Sequence, residues 1–350
     1  MLSNQRKNKI AENSLYIDQE SIDKQLEQEI AKGQITLLSL KQEFDKNKQF
    51  PAMGNSISQI MSVTNENGGI RKLTDIILRD QSLTGKILSI VNSSSYNQFG
   101  GEINTISRAV VILGLDQIQS LSLSIIVFEK LNQGPMAETL KSYACQSFLS
   151  AFFAKKLVEQ VESINSEEAF LASMFHNLGQ QVILYFFPEQ YVEISKLKID
   201  SKFDEEAACM EILGLNFTDI GQYIALQLKL PKNIIFGIQT KPTFIKERPS
   251  EAKEYLGQLS SLTNEIIETA ACGDNDFAVE KLNQIIERYH ASFVLDYDKI
   301  LNMLKVLSQT LMSYCSVLGI NPNENTFCKN FSDFVNFQQE MEPKKESEQQ

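Results

Sequence analysis

Between residues 166 and 187, SEEAFLASMFHNLGQQVILYFF, the apolar residues Leu171, Met174, Phe175, Leu178 and Val182 return at steps of three and four. That is the period of an α-helix burying one face. Ser166 is a suitable N-cap, and Glu167 and Glu168 fall in the first turn, where free N–H groups and the helix dipole favour negative charge. The period predicts one unbroken helix with His176, one of two histidines in the chain, at its middle beside the buried stripe. The same period recurs along the chain, and no alternating strand pattern of useful length appears over 50–131.

In chain order, residues 1–49 read as an arm and a helix. The first 20 are polar and rich in Asn, Gln and Lys, as in a frayed terminus. A helix over 21–45 follows, with Ile22, Leu26, Ile30, Leu37, Leu40 and Phe44 spread too thinly for a core, so it is expected to pack on the body. Gly33 is expected to weaken its middle.

Residues 50–131 form a first helical lobe. Pro51 opens a helix that NENGG (65–69) closes, helical stripes run over 70–78, 82–91 and 106–113, and 121–131 is the most apolar helix. Arg79-Asp80, the loop NSSSYNQFGGEIN and Gly114 supply the turns.

After a break at 132–135, a second unit spans 136–271. It comprises a long helix over 139–161, the 166–187 helix ended by Pro188, helices over 207–213 and 219–230 joined by GLNFT and stopped at Pro231, a polar loop over 240–254, and a helix over 256–271. Residues 272–340 read as a helical extension, with helices over 277–290 and 297–318. In the latter, Ile300, Leu304, Leu307, Leu311 and Cys315 share a face that packs on its own domain or, alternatively, on a second copy. Residues 341–350, MEPKKESEQQ, read as a disordered tail.

A net charge of -11, with no Lys/Arg run longer than two in the body, argues against nucleic acid, whose phosphates require a basic surface. The five cysteines, Cys145, Cys209, Cys272, Cys315 and Cys328, lie far apart with no C-x-x-C pair, so neither structural zinc nor a disulfide framework is expected and a reducing compartment fits. With no apolar leader and no run of about 20 apolar residues, a soluble, cytoplasmic protein without membrane insertion is expected. No phosphate-cradling glycine loop and no nucleophile elbow is present. His290, beside Arg288 and Tyr289, reads as a solvated helix end.

Three segments in order carry a family resemblance: ILRDQSLTGKILSIVNSSSYNQFGGEINTISRAVVILGLDQIQSLSLS (77–124), EEAFLASMFHNLGQQVILYFFPEQY (167–191) and ILGLNFTDIGQYIALQLKLP (212–231). They resemble the HDOD (HD-related output domain) proteins of bacterial signalling. The resemblance implies an all-α fold, with a helical lobe packed on a degenerate HD-type helical domain.

Catalytic HD proteins hydrolyse phosphate esters with metal held by a His, a His-Asp doublet and a later Asp, since a divalent cation acidifies water and neutralises phosphoryl oxygens. On the positions implied by the resemblance, the first His is Gln146, the doublet is His176-Asn177 followed by Gly179-Gln180, an Asp-His pair is Asn216-Phe217, and the later Asp is Asn264. Asp-to-Asn exchange keeps shape and hydrogen bonding but removes charge. A vestigial pocket of Gln146, His176, Asn177, Asn216, Phe217 and Asn264 is therefore expected, with no catalytic residue, metal or cofactor. His176 reads as a core histidine, the alternative being a surviving ligand. NSSSYNQFGG resembles a stretch common in the family and reads as a structural turn or, alternatively, a partner contact.

The expected function is a non-catalytic signalling module acting on other proteins. The alternatives are a metal-dependent phosphohydrolase acting on a nucleotide or cyclic dinucleotide, and a receptor that binds a nucleotide without cleaving it.

Overall fold

The computed structural model describes residues 19–47, 49–64, 68–93, 102–131, 136–158, 164–200, 203–239, 241–242, 244–245 and 247–348. Every regular element among them is an α-helix. The first lobe consists of α2 (Gln49–Met61), α3 (Gly69–Leu78), α4 (Gln81–Val91), α5 (Ile106–Leu113) and α6 (Leu115–Leu131). Of the 17 residues of α6, 14 are buried, as for a helix enclosed on all sides. It begins six residues earlier than its apolar run suggests, because its polar first turns are satisfied inside the lobe. Gln119 Nε2 donates to the carbonyls of Ile60 and Val63, and the buried hydroxyls of Ser122 and Ser124 donate back to Ile118 and Ser120. Asp80 and Thr105 cap α4 and α5.

The second unit is built on α7 (Ala137–Val158), α8 (Ser166–Phe175) and α14 (Ala252–Ala270), which pack on one another. Around them lie α9 (Leu178–Phe186), α10 (Pro188–Asp200), α11 (Glu205–Leu213), α12 (Phe217–Gln227) and α13 (Lys232–Gly237). Its core is aromatic and is shared with the C-terminal extension: Phe148 stacks on Tyr314 of that extension with centroids 3.3 Å apart, and Phe170 meets Phe148 and Phe152 edge-on.

Several local expectations are corrected. The 166–187 helix is two helices, with His176 and Asn177 in the turn between them, so the histidine is not mid-helix. Apolar periodicity missed this because both halves face the same core. Pro188 does not only stop a helix but begins α10, since proline is tolerated in a first turn. The extension comprises α15 (Asn275–Tyr289), α16 (Tyr297–Leu318) and the unexpected α17 (Thr326–Glu348). This last helix runs through most of the tail expected to be disordered. Phe327, Phe331, Phe334 and Val335 anchor it, and Glu, Lys and Gln propagate a helix already started.

The α16 stripe, Ile300, Leu304, Leu307, Leu311 and Cys315, is buried within its own chain, where α16 packs on α4, α7 and α17. Cys145, Cys315 and Cys328, far apart in sequence and expected to be unrelated, meet in the interior.

The N-terminal helix α1 (Gln19–Lys46) packs on the body as expected, through buried Leu40 and Phe44. Gly33 does more than weaken it. A Cβ there would lie 2.8 Å from the Gly214 carbonyl, so the missing side chain lets α1 cross the end of α11, where Thr36 Oγ1 donates to the Leu213 carbonyl at 2.8 Å. Expectations for residues 1–18, the 132–135 break and residues 159–161 lie outside the described residues, as does most of NSSSYNQFGG. Asn92 at its start clamps the loop, bonding both N–H and C=O of Ile103 at 2.8 Å. No helix of the described residues is long and apolar enough to cross a membrane.

Candidate functional site: a degenerate cleft

A cleft of about 480 Å³ opens where α7, α9, α11, α12 and α14 converge. One close contact sets its geometry. A Cβ on Gly179 would lie 1.9 Å from the Phe217 carbonyl, so only glycine lets the start of α9 touch the start of α12 and bring Asn216-Phe217 opposite His176-Asn177. Gln146, His176, Asn177, Asn216 and Phe217 all line the cleft. Asn264 does not. It is fully buried behind Asn177, accepting from Asn177 Nδ2 at 3.1 Å and donating to the carbonyls of Ser173 and Ser260 at 2.9 Å. A pocket wall position is thus a correction for Asn264: its amide ties α8 to α14 from within.

Each member has structural work. His176 Nδ1 lies 3.4 Å from Ser260 Oγ. Burial, and next the nearby Lys241 charge, push the imidazole down to about 3, against an opposing pull from Glu268, so the ring is neutral at ordinary pH. Asn216 caps α12, its Oδ1 accepting from Asp219 N at 2.7 Å. Asp204 does the same for α11 through Ala207 N at 2.8 Å.

The charges in the cleft come from residues the sequence reading did not select. Glu268, one turn beyond Asn264 on α14, pairs with Lys241 at 2.7 Å. Desolvation opposes charge on both side chains, which are 41% and 54% exposed, and the mutual attraction outweighs it, holding the lysine above and the carboxyl below their usual values. Glu205 pairs with Lys198 at 2.5 Å and accepts from Gln180 Nε2 at 3.0 Å. Tyr143 enters from α7, its hydroxyl 2.7 Å from that of Tyr191. The signal for Glu268 was available: residue 268 lies four positions after 264 on one helix face. Lys241 comes from an irregular loop, for which periodicity is silent.

These residues do not fit the divalent metal of catalytic HD proteins. Among the described residues, His176 belongs to no group of three His, Cys, Asp or Glu ligand atoms within 4.8 Å of one another. Of the four carboxylates lining the cleft, Glu205 and Glu268 are each held by a lysine and Asp204 caps α11, and among the described residues no three ligand atoms that include the neutral His176 imidazole converge as a Mg²⁺ or Mn²⁺ site requires.

The HDOD domain model matches residues 49–243, more than half the chain. The chain belongs to the HDOD family. No curated protein matches the sequence. Among solved structures, a candidate phosphohydrolase of Shewanella amazonensis shares 20% identity, with a TM-score of 0.60 and coverage of 80% of this chain and 98% of that one. An HDOD domain protein of unknown function from Geobacter sulfurreducens gives 18% and 0.60, covering 75% and 91%. A candidate signal transduction protein of Marinobacter aquaeolei gives 17% and 0.54, covering 76% and 58%. At these identities the likeness is one of fold. The HDOD match ends at residue 243, so Glu268 on α14, the extension α15–α17 and two of the three core cysteines lie beyond it.

Proposed function

We propose that this HDOD chain is a non-catalytic regulatory module that acts in signal transduction through contacts with other proteins. The observation that carries the reading is the ion pairing of the cleft. Lys241 and Lys198 bind the carboxylates that a divalent cation would need, and Asn177, at the second place of the doublet, is bonded to Asn264. Two of the four carboxylates that line the cleft are thus engaged by lysines, which disfavours a metal there and with it a metal-activated water.

The test has two arms. Purified protein is incubated with Mg²⁺, Mn²⁺ or Fe²⁺ and assayed on cyclic dinucleotides and bis(p-nitrophenyl) phosphate, and affinity capture at near-native abundance identifies bound proteins. Hydrolysis above background that disappears in His176→Gln overturns the reading in favour of a phosphohydrolase. Absence of a reproducible partner counts against the protein-contact part.

A second reading has one observation in its favour. The cleft falls in the size range of small-molecule sites and is lined by amides of Gln146, Asn177, Gln180 and Gln239, groups able to hydrogen-bond a base or ribose. A non-hydrolysing nucleotide receptor would show saturable heat in isothermal titration, abolished by Gln146→Leu.

A further inference from the structure

Cys145 of α7, Cys315 of α16 and Cys328 of α17 bring their sulfurs together. The Sγ–Sγ separations are 3.9 Å for Cys145–Cys315 and 3.6 Å for both Cys315–Cys328 and Cys145–Cys328. All three residues are fully buried and all three thiols are free. A buried cysteine by itself is a small apolar group. Three from different helices, each turned toward the other two, form a donor set. A point equidistant from the sulfurs lies about 2.1 Å from each, near the ~2.3 Å of a metal–thiolate bond.

The surroundings hold this set in place. Asn325 Oδ1 accepts from Cys328 N at 3.1 Å, and its Nδ2 donates to Ser142 Oγ at 3.1 Å, one turn before Cys145. The start of α17 is thereby fixed to α7 by a bond independent of the thiols.

We propose that Cys145, Cys315 and Cys328 form a three-coordinate site for one soft, thiophilic metal ion of the Cu(I) type. Three sulfurs with no oxygen donor select against Mg²⁺ and Ca²⁺. Structural zinc closes its tetrahedron with a fourth ligand, and among the described residues no fourth His, Cys, Asp or Glu atom joins the group within 4.8 Å. All three residues are fully buried, so bulk solvent does not reach the site to complete it. Each ligating thiol releases its proton to solvent as the metal–sulfur bond forms, and no electron is transferred. The ion ties α16 and α17 to α7 and stabilises the chain by binding only its folded form.

The full chain, reduced and kept anaerobic, is titrated with Cu(I) held by a competing chelator and, in parallel, with Zn(II). Bound metal per chain, thiolate-to-metal absorption and melting temperature are recorded. The expected result is one Cu(I) per chain with a raised melting temperature, both lost in Cys315→Ala and Cys328→Ala and both kept in Cys272→Ala, which changes an exposed cysteine. X-ray absorption on the loaded wild type requires no variant to fold, and three sulfur neighbours without nitrogen or oxygen are expected. Failure of folded wild type to bind Cu(I), preference for Zn(II), nitrogen or oxygen ligands, or a disulfide between any two of the three in freshly isolated protein overturns the proposal.

Discussion

Two consecutive residues of α7 serve opposite kinds of site. Gln146 faces the cleft where an HD protein would keep a hard cation, while Cys145 faces the core and joins two other thiols. In the cleft the donor atoms are amides, a neutral imidazole and four carboxylates, two of them held by lysines. In the core they are three sulfurs in contact with nothing to neutralise them but a metal or their own protons. The contrast teaches that the position of a site in the fold and its capacity to bind are separate properties. The cleft brings five of the expected positions together as amides, a histidine and a phenylalanine, and the thiol cluster gathers three sulfurs at a place for which the family resemblance makes no provision.

The largest effect is expected at the hinge of the cleft. Gly179→Ala sets a methyl group against the Phe217 carbonyl, and since backbone must move on both sides, a cost of about 3 kcal/mol or more is expected. Chemical denaturation measures it. A loss below about 1 kcal/mol would mean that α9 and α12 are not held this closely and that the cleft's walls are adjustable.

Next comes the pH dependence of stability. His176 titrates at about 3 in the folded protein against 6.5 unfolded, so between those values the unfolded chain binds the extra proton. Stability is therefore fully present above pH 6.5 and is lost as pH falls toward 3. From pH 7 to pH 5 the loss from this one group is about 2 kcal/mol. Glu268, with its carboxyl held low by Lys241, adds its loss only below the usual carboxylate range, so the upper part of the window belongs to His176. His176→Gln should flatten the slope between pH 7 and 5. An equally steep slope in the variant would remove the neutral, enclosed imidazole from the account.

His176→Ala also separates the structural role from a ligand role. Loss of the ring and of its Ser260 contact should cost on the order of 1–4 kcal/mol, with partner binding surviving in proportion to the folded fraction. If a cleft metal were essential, EDTA would lower the melting temperature of the wild type and leave this variant unchanged.

The sequence made the helical class and most helix positions legible because burial on one face repeats at 3.6 residues, and 297–318 emerged with its bounds intact. What it concealed depends on three-dimensional convergence. The break at His176-Asn177 leaves the apolar period undisturbed. The pairing of Lys241 with Glu268 joins a loop to a helix 27 residues away. The thiols of Cys145 and Cys315 are 170 residues apart, and no spacing rule operates at that distance. Five of the six expected pocket residues line the cleft and lie within the 49–243 family match, whereas Asn264, beyond it, lies one helical turn from the residue that does face the cleft.

The smallest expected effect is also the most specific. Lys241→Met removes the ammonium that pairs with Glu268 and that, after burial, is the second influence keeping His176 neutral. Because the pair is partly open to solvent, little global stability should be lost. The electrostatic consequence should still be local and directional. Without Lys241 the Glu268 carboxylate faces the imidazole with Lys198 as its remaining lysine, so the His176 titration should move upward from its low value, and the Glu268 carboxyl should rise with it. With two histidines in the chain, and His290 exposed at a helix end, ring proton resonances can be followed individually by NMR. A His176 that already titrates near 6.5 in the wild type, or does not respond to Lys241→Met, would remove the Lys241–Glu268 pair from the account of the cleft. In that case the lysine is not what distinguishes this site from a metal-binding one, and the cleft would again stand open to a cation beside the thiol cluster.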